Sequence, residues 1–163
     1  MLDQPTDSNT ALRGVPITVL AQYLKDLSFE SPGAPGTIGA ATELRQGAVG
    51  VDVRVIPISG PNYEIILRIK VEASHEGKTI YLLELEYGGL VQVGEVPAET
   101  VEPLLMIEGP RLVFPYARAI VTGMTRDGGF APLLINPIDF AALYRDFKRK
   151  NRDAAQPAPP AKA

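Results

Sequence analysis

Four stretches of the chain alternate apolar and polar residues, which is the period of a half-buried β-strand. Valine recurs at every second position from Val49 to Val55, and another alternating stretch runs from Tyr63 to Val71. The turn sequence SGPN lies between them, so the two stretches predict a β-hairpin. A second turn sequence, HEGK, leads to a third strand, whose faces carry Tyr81, Leu83, Leu85 and Tyr87 on one side and Leu82, Glu84 and Glu86 on the other.

The remaining strand precedes these three. Near its end, the apolar residues Leu27 and Phe29 alternate with the acidic residues Asp26 and Glu30, so the acids should share one face of the sheet. Residues 31–47 are rich in glycine, proline and alanine and lack a clear period, which predicts a crossover loop. The four strands together predict an antiparallel sheet.

After the strands, apolar residues recur at spacings of three and four, which predicts helices. Residues 98–108 should form a helical turn or two behind Pro97. The longest helix should follow Pro110, be interrupted early at Pro115 and end at the breaker sequence DGG of residues 127–129.

A last helix is predicted to begin with Asn136 as its cap and Pro137 at its first position. Its predicted buried residues are Phe140, Leu143, Tyr144 and Phe147. Strands followed by helices indicate an α+β fold.

Length and charge narrow the possible partners. The 163 residues fit one domain over 15–150, with a flexible N-terminal tail at 1–14 and a disordered Ala/Pro-rich tail at 151–163. The net charge of −3 argues against a nucleic-acid partner, because such binding relies on clustered lysine and arginine. The chain has no cysteine, which excludes thiol chemistry.

The sequence also bears on location. Residues 1–10 have neither a basic start nor an apolar stretch, so no secretory signal is expected. No apolar run approaches the roughly 18 residues that a membrane helix needs. We therefore expect a cytoplasmic protein without membrane insertion.

Candidate chemistry is sparse. The single histidine, His75, falls in a predicted turn and lacks the partners of a catalytic or metal site. Glu84 and Glu86 lie two residues apart on one strand face, so a small-molecule-binding or enzymatic domain that uses these carboxylates is an alternative. A purely structural oligomer is a second alternative. We expect no enzyme, no cofactor and no metal.

Four longer strings resemble the SecB family of protein-export chaperones. They are YLKDLSFESP at 23–32, FPYAR at 114–118, DGGF at 127–130 and NPIDFAALY at 136–144. The resemblance runs from about residue 17 to 148, and the order and spacing of the strings make it specific.

The resemblance implies a four-stranded antiparallel sheet in Greek-key order, backed by helices. It implies assembly as a homotetramer, a dimer of dimers. It also implies an ATP-independent holding chaperone, or holdase, with two kinds of partner. Unfolded precursor proteins would bind along apolar grooves, and the export motor SecA would bind to an acidic face of the sheet.

Carried over position by position, the resemblance implies two sets of residues. The SecA-binding positions correspond to Asp26, Glu30, Leu82 and Glu84. The candidate precursor groove comprises Tyr81, Leu83, Phe140, Ile38 and Leu44. The first three of these can equally be core residues. Family members carry aromatic residues in the crossover loop, whereas residues 31–47 offer only Ile38 and Leu44 as large apolar groups.

Overall fold

A computed structural model describes residues 16–38 and 48–155 of the chain. Its strands are β1 (Ile17–Glu30), β2 (Ala48–Ser59), β3 (Asn62–His75) and β4 (Lys78–Val93). The helices are α1 (Ala98–Pro103), a π-helical turn (Leu104–Glu108), α2 (Gly109–Asp127) and α3 (Phe140–Ala155).

The four strands form one antiparallel sheet in the order β1-β4-β3-β2. Two tight hairpins connect β2 to β3 and β3 to β4. In the second hairpin, Glu76 and Gly77 both have positive φ angles, 50° and 75°, as the right-handed twist of the flanking strands favours. The α+β class and the four-stranded antiparallel sheet are thus confirmed. The β1–β2 connection falls partly outside the described residues, and the Greek-key order stays a prediction.

The two faces of the sheet differ sharply in burial, as strand alternation predicts. The inner face is apolar and lies under the helices. Its central residues on β3 and β4 have no exposed surface: Leu67, Ile69, Val71, Leu83 and Leu85. Each such side chain contributes about 1.5–3 kcal/mol of burial free energy. The outer face carries most of the charged strand residues.

Helix α2 packs on the inner face against β4, β3 and β1. Two glycines allow this close approach. A Cβ atom on Gly89 of β4 would lie 2.7 Å from Val113 of α2, and one on Gly109 would lie 2.0 Å from Ile65 of β3. The layer spacing is therefore set by the absence of side chains at these two positions.

The helical region differs from the sequence prediction in three respects. Residues 98–127 are helical without a gap, and the helix runs through Pro115, which does not interrupt it. Helix α3 begins at Phe140, so Asn136 is not its cap. Instead, the backbone N–H of Ala142 donates to Asp139 Oδ1 at 2.9 Å. A capping side chain typically accepts this bond from the third residue of the helix, so Asp139 caps α3.

The predicted tails fall largely outside the described residues. Helix α3 extends to Ala155, five residues past the expected domain boundary at 150. The boundaries at residues 14 and 150 remain predictions. In the described part of the chain, no helix combines the length and the apolar character needed to span a membrane.

Candidate functional site

The four residues expected to bind the motor lie together on the outer face. In the β1–β4 pairing, Glu30 lies opposite Leu82, while Glu84 and Asp26 occupy the next two rows of the same face. Asp26, Glu30 and Glu84 are exposed, and Leu82 is half-buried. The fold therefore forms one patch from two pairs of residues that lie more than 50 positions apart in sequence. We call these four residues the outer patch.

Basic residues on β3 and β2 border the outer patch, which the sequence analysis missed. Lys70 Nζ lies 3.2 Å from Glu84 Oε1. The next carboxylate, Glu86, accepts a hydrogen bond from Arg68 Nε at 2.9 Å and lies 3.9 Å from Arg54. The alternation of Arg68 and Lys70 with Ile69 was the available signal. Basic side chains of β3 thus neutralise Glu84 and Glu86, whereas the β1 side of the patch carries Asp26 and Glu30.

Within the described ranges, no ion pair involves Asp26 or Glu30. Among the carboxylates of the outer patch, these two are therefore the ones without an ion pair, whereas Glu84 is paired with Lys70. Ion pairs between exposed side chains contribute only about 0–1 kcal/mol, so the Lys70–Glu84 pair can open at small cost when a partner approaches.

A buried carboxylate marks the other end of the outer face. Glu64 is only 8% exposed. Its Oε1 atom accepts hydrogen bonds from the Tyr23 hydroxyl at 2.7 Å and from Lys25 Nζ at 2.6 Å. These two bonds lower the pKa of Glu64, while burial and the nearby Glu64 raise the pKa of Tyr23 to about 12. We call Tyr23, Lys25 and Glu64 the carboxylate cluster.

Two local features of the backbone build the carboxylate cluster. The β1–β4 register shifts between Leu24 and Asp26, so that Lys25 lies in a β-bulge and reaches the outer face. Tyr23 lies opposite Gly88, and its ring covers that glycine on the way to Glu64. The ring can lie there because Gly88 has no side chain.

Three of the predicted groove residues are core residues. Tyr81, Leu83 and Phe140 are 4%, 0% and 1% exposed. The Tyr81 ring packs against Phe130 and Phe29, with centroid distances of 4.9 Å and 5.6 Å. Burial also raises the pKa of Tyr81. The structure thus supports the alternative that these side chains fill the core. They do not line an open groove.

The other two predicted groove residues come from the crossover loop. Ile38 is 39% exposed, near Gly129, and can contact a ligand. Leu44 lies outside the described residues. Their role in binding stays a prediction.

An apolar groove lies elsewhere, along the inner face of the edge strand β2. Three adjoining cavities of about 440, 150 and 530 Å³ follow the strand, and Val51 and Val53 each line two of them. Because they share these residues, the cavities lie next to one another along the strand, and we call the row of three the β2 groove. Its apolar lining comprises Val49, Val51, Val53, Val55, Tyr63, Val101, Leu105, Met106, Leu133, Leu134, Ile135, Ile138, Leu143, Tyr144 and Phe147.

The β2 groove exists because the long helix α2 does not extend over β2, which the short π-helical turn contacts instead. Helix α2 packs over the other three strands, and α3 rests on the π-helical turn. Of the α3 residues expected to be buried, only Phe140 is; Leu143 and Tyr144 are half-buried and Phe147 is 42% exposed. That prediction was wrong because the α3 side chains face a channel, where the pattern had suggested a packed core.

The carboxylates of the enzymatic alternative do not lie in this channel. Glu84 and Glu86 line none of the three cavities. Both are paired with lysine or arginine on an open surface, which leaves neither positioned against an enclosed substrate. His75 ends β3 and lies 4.0 Å from Glu76. Across residues 16–38 and 48–155, no cluster of histidine and acidic residues could hold a metal ion.

Comparison with known proteins identifies the fold and the family. The structure resembles that of a SecB-like chaperone of Mycobacterium tuberculosis, solved in complex with a peptide from an antitoxin. The TM-score is 0.60 at 14% identity, and the match covers 76% of this chain and 88% of the other. At this identity the likeness concerns the fold.

Sequence relatives are much closer. The protein-export protein SecB of Parvibaculum lavamentivorans is 47% identical over 144 residues, which cover 88% of this chain and 86% of the relative. Its counterpart in Maricaulis maris is 40% identical over 157 residues, which cover 95% of this chain and 91% of the relative. The family described as preprotein translocase subunit SecB matches residues 11–151. The chain therefore belongs to the SecB family.

Proposed function

We propose that this protein is an ATP-independent holding chaperone that keeps precursor proteins unfolded for export and that it captures them in the β2 groove. Its family membership supports a chaperone of protein export and not an enzyme. The observation that carries the location is the row of apolar cavities along β2, which is an edge strand of the described sheet.

The shape of the β2 groove suits an extended client chain. Strand β2 spans 12 residues, and its valines face the channel at every second position. Apolar client side chains would gain roughly 25 cal/mol for each Å² that they bury, whatever their order in the client sequence. This energy comes from burial and requires no nucleotide. In the related mycobacterial structure, a SecB-like chaperone also holds a peptide.

We propose that the protein acts as a homotetramer, a dimer of dimers, in the cytoplasm, where precursors are made. Four grooves on one assembly turn later contacts with a long client into intramolecular ones. Such multivalency can raise the overall affinity about 10²–10⁴-fold over that of a single groove. Moderate affinity at each groove then suffices for holding, while each contact can still open during transfer.

The second proposed partner is the motor SecA, which would dock on the outer patch. Asp26, Glu30 and Glu84 supply exposed negative charge, and Leu82 supplies an apolar centre. A basic partner segment would be attracted by this charge, and salt should weaken the encounter. Ile38 and Leu44 remain proposed contributors to client binding at the crossover loop.

The groove is tested with exposed residues, whose replacement should leave the fold intact. Leu134 and Phe147 line the groove and are 66% and 42% exposed; Ile58 is 55% exposed on the same strand as the valines but lines none of the cavities. In the absence of nucleotide, Leu134→Asp or Phe147→Asp should weaken binding of a slowly folding precursor at least about tenfold, as the loss of a buried apolar side chain predicts. Ile58→Asp is the matched control.

Equal losses in all three variants would mean that general surface polarity decides binding and would contradict the groove. Light scattering of the same samples gives the assembly mass and tests the tetramer.

For the motor, we expect Asp26→Ala combined with Glu84→Ala to weaken SecA binding. The pair Glu95→Ala with Asp153→Ala removes the same charge elsewhere and should leave SecA binding nearly unchanged.

A further inference from the structure

The wall at one end of the β2 groove is a segment without helix or strand. Residues 128–139 connect α2 to α3, and those from 131 onward have no regular structure. They supply five of the eight residues that line this end of the groove, namely Leu133, Leu134, Ile135, Asn136 and Ile138. A segment without the hydrogen bonds of a helix or strand must be held in place by other partners for its backbone N–H and C=O groups.

Two threonines of α2 provide those partners. The backbone N–H of Leu133 donates to Thr125 Oγ1 at 2.9 Å. The hydroxyl of Thr122 lies 2.7 Å from the carbonyl oxygen of Leu133 and donates to it. Thr122 and Thr125 are three residues apart and lie on the same helix face. Both polar groups of one wall residue are therefore bonded to adjacent hydroxyls of α2.

The hydroxyl of Thr125 is oriented to accept the bond from Leu133. It donates back into its own helix, toward the carbonyl oxygens of Val121 at 3.1 Å and Thr122 at 3.0 Å. That direction leaves its lone pairs free to accept the Leu133 N–H. Thr125 is fully buried, so no water can replace the bond. The Thr122 hydroxyl is also 3.0 Å from the carbonyl of Arg118, but its contact with Leu133 is shorter.

We propose that Thr122 and Thr125 are positioning residues that hold the wall of the β2 groove open for client binding. By fixing the backbone of Leu133, they keep its side chain packed against the core and leave Leu134 exposed toward the channel. The inference rests on the proposed function of the groove. It adds that the affinity for clients depends on two hydroxyls that do not line the groove.

The test compares valine and serine at each position. Thr122→Val and Thr125→Val keep the side-chain shape but remove the hydroxyl, whereas Thr122→Ser and Thr125→Ser keep the hydroxyl. Hydrogen exchange is measured in the full-length protein on a peptide that covers residues 131–139. Client affinity is measured with the same slowly folding precursor. Thr122 is only partly buried, so its variants provide a result even if Thr125→Val fails to fold.

We expect the valine variants to accelerate exchange in residues 131–139, with β4 unchanged, and to weaken client binding about threefold to tenfold, as the loss of one hydrogen bond predicts. The serine variants should restore both values. A Thr79→Val variant, at an exposed position on β4, should change neither.

Four results would overturn the proposal. Unchanged exchange in both valine variants would show that the hydroxyls do not hold the wall, and a serine variant that behaves like valine would assign the effect to packing. Faster exchange with full client affinity, while Leu134→Asp still weakens binding, would refute the role of the threonines but leave the groove standing. If Leu134→Asp is also without effect, the groove itself is wrong and the role of the threonines fails with it.

Discussion

The close approach of Tyr23 to Gly88 gives the sharpest prediction. A Cβ atom on Gly88 would lie 2.4 Å from Cε2 and 2.9 Å from Cδ2 of the Tyr23 ring. Such a distance is far below contact, so the Gly88→Ala variant must displace the ring. The displaced hydroxyl then loses its 2.7 Å bond to Glu64, which is nearly buried.

The magnitude follows from two losses. Overpacking by one methyl group typically costs about 1–3 kcal/mol. The lost hydrogen bond to a charged acceptor is worth roughly 1.5–3 kcal/mol, part of which Lys25 retains through its own bond to Glu64. We therefore expect Gly88→Ala to lower the free energy of unfolding by about 2–4 kcal/mol. Urea denaturation at a fixed protomer concentration measures it, since assembly makes stability depend on concentration.

Gly50 offers the matched control. It lies in β2, and a Cβ atom there would meet nothing within 4 Å, so Gly50→Ala should be neutral or slightly stabilising. A second check places Gly88→Ala in a Tyr23→Ala background, where the ring is gone and most of the cost should vanish. If Gly88→Ala costs no more than Gly50→Ala, or costs the same with and without Tyr23, the proposed clash is refuted.

Three further predictions concern charge and capping. The partners of Glu64 lower its pKa in the folded state, so this carboxylate adds stability above its unfolded pKa of about 4.3. The added stability is lost as the pH falls through the folded pKa. Urea denaturation measured from about pH 7 to 3 should therefore show a shallower pH dependence of stability for Glu64→Gln than for the unaltered protein. Asp139→Ala should cost about 1 kcal/mol in the same assay and Asn136→Ala less than about 0.5, because only the former residue caps α3. Lys70→Met should tighten SecA binding about two- to fivefold, because it frees the Glu84 carboxylate from its ion pair. Equal tightening by Lys78→Met would assign the gain to net charge alone.

The strands and their faces could be predicted because alternation is a local property. The burial of Tyr81 and Leu83 against the exposure of Glu84 follows the period of two seen in the sequence. The resemblance to the SecB family, carried by the strings around Tyr23 and Phe140, is confirmed by the family and its relatives. Local patterns and ordered strings thus fixed the class of fold and the family.

The details that failed depend on contacts between distant parts of the chain. The sequence Asn136-Pro137 has the form of a helix start, but the backbone of Leu133 is bonded to α2 and residues 131–139 form no helix, so α3 starts at Phe140. Likewise, the period of three and four places Phe147 on an apolar helix face without showing whether that face meets a core or a channel. Only the packing of α2 and the π-helical turn decides this.

The position of the two proposed sites on one sheet bears on how they work together. The valines of the β2 groove and the carboxylates of the outer patch point to opposite faces, and the groove follows the edge strand β2 while the outer patch lies on β1 and β4. A motor docked on the outer patch would therefore leave the groove open, and a client in the groove would leave the patch accessible. Transfer of a client can then begin from a complex that contains all three proteins, because neither partner has to leave before the other binds.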